Sequence, residues 1–154
     1  MGPDGTIGPS PAELSALLAA ASRRGATVVN VGHGRMGESA ASARAFVEAW
    51  PGDIGVVVSW PAVAASWLRP ARRLASGAPD LWVVADDPQG WSRMGRRLAS
   101  VPGWDAARTL AFSGLAAPRL PALAGFDATE GLCGVTGDGL PWTYRDGELV
   151  TWTP

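Results

Sequence analysis

The chain has 154 residues, of which 47% are hydrophobic and 18% charged, and its formal net charge is −1. This length and composition predict one globular domain and exclude disordered, fibrous and collagen-like classes. All 13 cationic residues are arginines, and none of them forms a long basic run. This pattern argues against nucleic-acid and membrane-surface partners, which are bound mainly through clustered cations.

Neither the start of the chain nor its hydropathy indicates secretion or a membrane span. Residues 1–10 contain Asp4 and two prolines instead of a cationic start followed by an apolar segment. No stretch reaches the roughly 20 apolar residues that a membrane-spanning helix needs. The lone Cys133 excludes a disulfide framework within one chain. We therefore expect a soluble, cytoplasmic protein.

The predicted elements begin after a flexible tail over residues 1–9, and we expect residues 10–154 to form one domain. Ser10 as N-cap, Pro11 at the first helical position and Glu13 as the partner in a capping box predict a helix. Gly25 is the expected end of that helix.

Apolar, β-branched runs then alternate with amphipathic segments. Strands are predicted at 26–31, 54–59, 81–85 and 109–112. A first helix of this part is predicted at 37–50. A second is predicted from about residue 61, and Pro70 is expected to kink or end it. A third is predicted after Asp87, with Asp87 as N-cap and Pro88 at the first helical position. Continuous apolar strands that are each followed by a helix are typical of a parallel sheet covered on both faces.

The last part of the chain has a different pattern. Two segments that contain Trp and Tyr flank Asp146-Gly147, a preferred two-residue hairpin turn. They predict a β-hairpin over residues 141–153 that closes one edge of the sheet. The predicted fold class is α/β, a three-layer Rossmann-like domain with a mainly parallel sheet and a C-terminal β-hairpin.

The most specific motif is the G-x-G-x-x-G spacing of Gly32, Gly34 and Gly37 between a predicted strand and a predicted helix. In this context the glycines form a tight turn and admit a pyrophosphate to the helix N-terminus. We therefore predict a dinucleotide site, with NADP or NAD as cofactor, at the carboxyl ends of the strands. Its expected residues are Gly32, His33, Gly34, Arg35, Met36, Gly37, Ser59, Trp60 and Asp86.

Individual roles in this site follow from residue chemistry. Trp60 is placed to stack on the adenine ring, and Arg35 to contact phosphate. His33, the single histidine, could pair with Asp86 or Asp87, although Asp87 also suits a helix cap. Parallel strand ends share one rim, so we expect His33, Ser59, Trp60, Asp86 and Ser113 to line a common groove.

The run from Thr27 to Ala40 resembles the nucleotide-binding start of the 6-phosphogluconate-dehydrogenase-like and pyrroline-carboxylate-reductase-like Rossmann proteins. The resemblance covers residues 26–115 and implies an NAD(P)-dependent oxidoreductase. Such proteins usually carry an acid at the end of the second strand, where this chain has Ser59 and Trp60. Ser59 with Arg69 or Arg72 would favour NADP.

These reductases also have a helical C-terminal domain, which this chain replaces with only the hairpin. The resemblance therefore implies a reductase whose site is completed by a homo-oligomer or a partner subunit. It assigns no catalytic residue.

Two alternatives stay open. Residues 53–136 also resemble one lobe of a type I periplasmic binding protein, a non-catalytic module for small ligands, with Trp60, Asp86 and Asp87 lining its cleft. The segment Val31-Gly-His-Gly is similar to the metal-binding strand end of class II chelatases, with His33 as a ligand. We favour the dinucleotide hypothesis, because the first alternative lacks a secretion signal and a second lobe, and the second lacks a second histidine.

Overall fold

A computed structural model describes residues 7–154, so residues 1–6 of the predicted tail lie outside the described part. The described part forms a three-layer α/β domain, as predicted. Its helices are α1 Pro11–Arg23, α2 Gly37–Ala49, α3 Leu68–Ala75, α4 Pro88–Ala99 and α5 Leu120–Ala124. Its strands are β1 Val28–Gly34, β2 Asp53–Trp60, β3 Leu81–Ala85, β4 Thr109–Ala111, β5 Cys133–Val135, β6 Pro141–Arg145 and β7 Glu148–Thr151.

The seven strands form one sheet in the order β2-β1-β3-β4-β5-β6-β7. The first five are parallel, and β6 and β7 are antiparallel. Helices α1 and α2 cover one face, and α3, α4 and α5 cover the other. Because every parallel strand points the same way, the carboxyl ends of β1, β3 and β4 meet at one rim of the sheet.

Two apolar cores hold these layers together, because alternate residues of each strand point to opposite faces. Val29, Val31 and Val83 pack under α1 and α2. Trp82 and Val84 pack on the other side, in the larger core against α3, α4 and α5. This alternation decides which face each residue near the rim can reach.

The predicted hairpin is confirmed as the edge of the sheet. Asp146 has φ 54° and Gly147 has φ 77°, the left-handed backbone that a two-residue hairpin turn of this type requires. Trp142 and Tyr144 of β6 are fully buried. The Tyr144 hydroxyl also accepts a hydrogen bond from the Ala117 N–H at 3.0 Å, which ties the hairpin to the end of the parallel half.

Three details differ from the sequence prediction. No helix begins near residue 61; α3 starts at Leu68, and Pro70 lies in its first turn, where a missing N–H costs little. Strand β5 at Cys133 was not predicted, because its Gly-rich sequence does not show a strand pattern. Strand β1 continues to Gly34, so the first two motif glycines are strand residues rather than loop residues.

Among residues 7–154, no helix has the length and apolar character that crossing a bilayer would require.

Candidate functional site

A cavity of about 530 Å³ lies at the rim where β1, β3 and β4 end. We call it the strand-end pocket. Its lining residues are Ile7, Gly8, Pro9, Glu13, Met36, Gly37, Glu38, Ser39, Ser42, Ala85, Asp86, Asp87, Phe112, Ser113 and Gly114. The pocket therefore joins the start of α1, the start of α2 and the ends of β3 and β4, including part of the predicted tail.

Asp86 directly follows β3 and is only 4% exposed. Its Oδ2 accepts a hydrogen bond from the Trp60 indole N–H at 2.7 Å, and its Oδ1 accepts one from the Asp87 backbone N–H at 2.8 Å. Burial raises the pKa of Asp86 to about 6, against the opposing effect of these two hydrogen bonds. The strand-end pocket thus contains a carboxylate that has been largely removed from water.

Glycines make room for this carboxylate. A Cβ added at Gly34 or at Gly90 would lie 2.8 Å from Asp86 Cγ, well inside van der Waals contact. A Cβ at Gly114 would lie 3.3 Å from the backbone carbonyl carbon of Asp86. Three chain segments therefore approach Asp86 more closely than any residue with a side chain would allow.

Glu13 is the second buried acid of the pocket, at 5% exposure. Its Oε2 accepts a hydrogen bond from the Ser113 N–H at 2.7 Å, which connects α1 to the end of β4. Its other oxygen has no hydrogen-bond partner among residues 7–154. The capping box is therefore half formed: Ser10 accepts from the Glu13 N–H at 3.0 Å, but the Glu13 side chain is used elsewhere.

Two of the helices that begin at the pocket, α4 and α2, have different N-termini. Asp87 caps α4 by accepting from the Gly90 N–H at 2.7 Å, which confirms its predicted role as N-cap. Met36, the N-cap position of α2, makes no side-chain capping hydrogen bond. Uncapped N–H groups at a helix start favour a negatively charged group. The wall formed by Gly37, Glu38 and Ser39 can therefore receive an anionic part of a ligand.

The structure brings only some of the predicted site residues into this pocket. Met36, Gly37 and Asp86 line it, and so does Ser113 from the expected common groove. The lining does not include Gly32, His33, Gly34, Arg35, Ser59 or Trp60. Glu13, Ser39 and Ser42 line the pocket but were not predicted, since no sequence spacing shows that α1 lies beside β4.

Trp60 is a buried support and not a stacking surface. The side chain is 0% exposed, so no ligand ring can reach it. Its six-membered ring fills the space that Gly32 leaves open, where an added Cβ would lie 2.7 Å from the Trp60 Cζ3 atom. The residue acts on the pocket only through the hydrogen bond that it donates to Asp86.

His33 and Asp86 lie on opposite faces of the sheet. Alternation along β1 places it on the same face as Val29 and Val31, whereas Gly34 faces Asp86. Its Nδ1 hydrogen-bonds to the Gly34 carbonyl oxygen at 2.7 Å. The expected pair of His33 with Asp86 or Asp87 is not formed. Within residues 7–154, no three His, Cys, Asp or Glu side chains are grouped as metal ligands would be.

The predicted dinucleotide site is wrong, and the surroundings of Gly32 and Gly34 give the physical reason. Gly32 and Gly34 are small because Trp60 and Asp86 occupy the space that their side chains would need. They therefore do not open a path for a pyrophosphate. A buried carboxylate below the rim would also repel phosphate groups, and none of the arginines lines the pocket to offset it.

No protein-family model and no curated protein sequence matches this chain. Solved structures do match its fold. An extracellular ligand-binding receptor from Rhodopseudomonas palustris HaA2 is similar with a TM-score of 0.69 and 16% identity, covering 79% of this chain and 34% of that one. A leucine-binding protein from Thermotoga maritima is similar with a TM-score of 0.64 and 19% identity, covering 79% and 35%.

A third similar structure is the isoleucine complex of a branched-chain amino acid transporter substrate-binding protein from Streptococcus pneumoniae. Its TM-score is 0.67 and its identity 10%, covering 80% of this chain and 35% of that one. The chain thus spans about a third of the length of the solved structures that it matches. At this level of identity the likeness establishes a shared three-layer α/β fold and no more.

These comparisons correct four predictions. The resemblance to NAD(P)-dependent Rossmann dehydrogenases is wrong, because the similar structures are ligand-binding proteins. The oxidoreductase class and the NADP or NAD cofactor are wrong on the same finding. The cytoplasmic location is also wrong by this comparison, since the Rhodopseudomonas palustris receptor is described as extracellular and another similar structure, from Ralstonia solanacearum, as periplasmic. The comparisons favour the alternative of a small-ligand-binding lobe.

Proposed function

We propose that this chain is a ligand-binding lobe that holds a small zwitterion of the amino-acid type in the strand-end pocket. The observation that carries the proposal is the pocket itself, with the buried acids Glu13 and Asp86 in its lining. In open α/β sheets ligands bind beyond the carboxyl ends of the strands, and this pocket lies there. Its volume of about 530 Å³ also suits a small molecule.

The chemistry of the walls supports an amino acid in particular. The uncapped start of α2 offers backbone N–H groups to a carboxylate. Asp86 and the free oxygen of Glu13 accept hydrogen bonds from an ammonium group. Two of the similar proteins are described as a leucine-binding protein and as a complex with isoleucine, and both ligands have this zwitterionic core.

The proposal extends to the setting of the protein. Because the chain spans about a third of its structural neighbours, we propose that a second lobe closes over the open side of the pocket. We also propose an extracellular or periplasmic location, in agreement with the neighbours' descriptions.

A thermal-shift panel of the common amino acids, with NADP as a comparison, tests this function. A ligand that binds only the folded state at 100 times its dissociation constant adds about 2.7 kcal/mol of stability. We expect at least one amino acid to raise the melting temperature and NADP to leave it unchanged.

Two variants of α2 localise the effect. Ser42→Tyr places a ring at the pocket wall and should abolish the shift, whereas Glu48→Tyr on the exposed side of the same helix should retain it. An absence of any amino-acid-dependent shift, or equal shifts in both variants, would contradict the proposed function.

A further inference from the structure

The charged side chains that residues 7–154 contribute to the strand-end pocket all have one sign. Four carboxylates line it: Glu13, Glu38, Asp86 and Asp87. The chain has 13 arginines and no lysine, yet neither an arginine nor the histidine appears in the lining. A pocket that selected a neutral zwitterion would need about as many positive as negative partners.

Two of these acids are buried without a counter-charge from any residue between 7 and 154. Asp86 is 4% exposed, and its two hydrogen-bond donors, the Trp60 indole and the Asp87 amide, are both neutral. Glu13 is 5% exposed, and one of its oxygens lacks a partner among residues 7–154. A buried carboxylate without a cation is unfavourable, and it becomes favourable when a cationic group pairs with it.

We infer that the preferred ligand of the strand-end pocket carries a net positive charge. An amino acid has this charge when its side chain ends in a second cationic group, an amine or a guanidine. This inference rests on the proposed function and specifies its ligand class. The α-ammonium group of an amino acid neutralises one carboxylate, and its own carboxylate adds a negative charge that the start of α2 balances only partly. A second cationic group is needed to match the remaining acids.

A matched pair of ligands isolates this charge. L-arginine and L-citrulline have nearly the same shape and differ in the charge of the terminal group. We expect isothermal titration of the full chain to give at least tenfold tighter binding of L-arginine than of L-citrulline. The difference should shrink as salt is added, because ions screen the attraction to the more exposed Glu38 and Asp87.

Charge-neutral variants attribute the preference to the pocket. In Glu13→Gln the amide oxygen can still accept from the Ser113 N–H, so the variant removes the charge and preserves the contact. Glu13→Gln should lower the ratio of the binding affinity for L-arginine to that for L-citrulline several-fold. Glu38→Gln should do the same, and because the Glu38 side chain is exposed, it has little role in folding. Glu48→Gln, on α2 outside the pocket, should leave the ratio unchanged.

The outcomes separate the two proposals. Equal or tighter binding of L-citrulline or L-leucine would overturn the cationic ligand class and leave amino-acid binding intact. Binding of no amino acid at all would overturn the proposed function as well. An unchanged ratio in both Glu13→Gln and Glu38→Gln would also overturn the inference, because it would place the selectivity outside these carboxylates.

Discussion

Two cavities on this small domain have opposite charge. Within the described part of the chain, the strand-end pocket is lined by four carboxylates and no arginine. A second cavity of about 350 Å³, which we call the sheet-face pocket, lies between the end of α1 and strands β5 and β6. Its lining contains Arg23, Arg24 and Arg145 but no carboxylate. The small net charge of −1 is therefore the sum over surfaces that include two strongly charged ones of opposite sign.

Burial is the more important difference between the two cavities. Arg23, Arg24 and Arg145 are exposed, so water and ions screen their charges. Glu13 and Asp86 are almost fully buried, so their charges act in a medium of lower dielectric constant. We therefore expect charge to control stability and ligand choice at the strand-end pocket more than at the sheet-face pocket.

The largest expected effect is the pH dependence caused by Asp86. Burial raises its pKa from 3.8 to about 6, so the folded state keeps a proton that the unfolded state loses between those values. Stability should therefore fall as pH rises from about 4 to 6, by about 3 kcal/mol at 1.36 kcal/mol per pKa unit. Asp86→Asn should lose this decline, as urea unfolding across that pH range would show.

Asp80 provides a control of opposite sign. Hydrogen bonds from the Val28 and Thr27 N–H groups lower the pKa of this exposed carboxylate. The contribution of Asp80 to the free energy of unfolding should be present above the pKa that this residue has in the unfolded chain. It should disappear as pH falls through its lowered pKa in the folded state. If the free energy of unfolding of Asp86→Asn changed with pH in parallel with that of the wild type, the claim that Asp86 is a buried titrating carboxylate would be contradicted.

The second expected effect is steric and involves Gly34. A Cβ at this position would lie 2.8 Å from Asp86 Cγ, so Gly34→Ala must displace the carboxylate or the strand. Overpacking of this kind costs about 2 kcal/mol, which chemical denaturation can measure. Gly137→Ala is the control, since nothing lies within 4 Å of an added Cβ there. Equal stability of the two variants would show that Asp86 is not confined by its glycines.

The smallest expected effect concerns the sheet-face pocket. Burial raises the pKa of the Cys133 thiol, and the Arg24 guanidinium, 2.7 Å from its Sγ, partly opposes that rise. Arg24→Leu should therefore move the midpoint of the pH profile for iodoacetamide alkylation upward. Arg23→Leu, in the same pocket but without contact to Sγ, should leave the midpoint in place. A midpoint unaffected by Arg24→Leu would mean that the guanidinium does not act on the thiol.

Sequence patterns predicted the parts of this molecule that depend on neighbouring residues. The capped starts of α1 at Ser10 and α4 at Asp87, the parallel strands and the hairpin turn at Asp146-Gly147 are all local signals, and the structure contains each of them. The site depends on distant contacts that no local pattern encodes. Glu13 meets Ser113 across 100 positions.

The glycine motif shows how a correct local pattern can lead to a wrong function. Its spacing between a strand and a helix is real, and it indicates a close approach at Gly34. The partner of that approach is the carboxylate of Asp86, the residue directly after β3, and not a phosphate. A glycine that admits a phosphate and a glycine that admits a carboxylate have the same spacing in the sequence. Only the side chain that follows the neighbouring strand distinguishes the two.

The central claim is that the strand-end pocket, and not the sheet-face pocket, is the ligand site. A titration of the ¹⁵N-labelled chain with L-arginine, followed by backbone amide NMR, tests it directly. Gly114 lines the strand-end pocket and Gly134 lines the sheet-face pocket, so two glycine amides report on the two cavities. We predict saturable shifts of Gly114 and Ser39 with Gly134 unmoved. Shifts at Gly134 without shifts at Gly114 would contradict the claim.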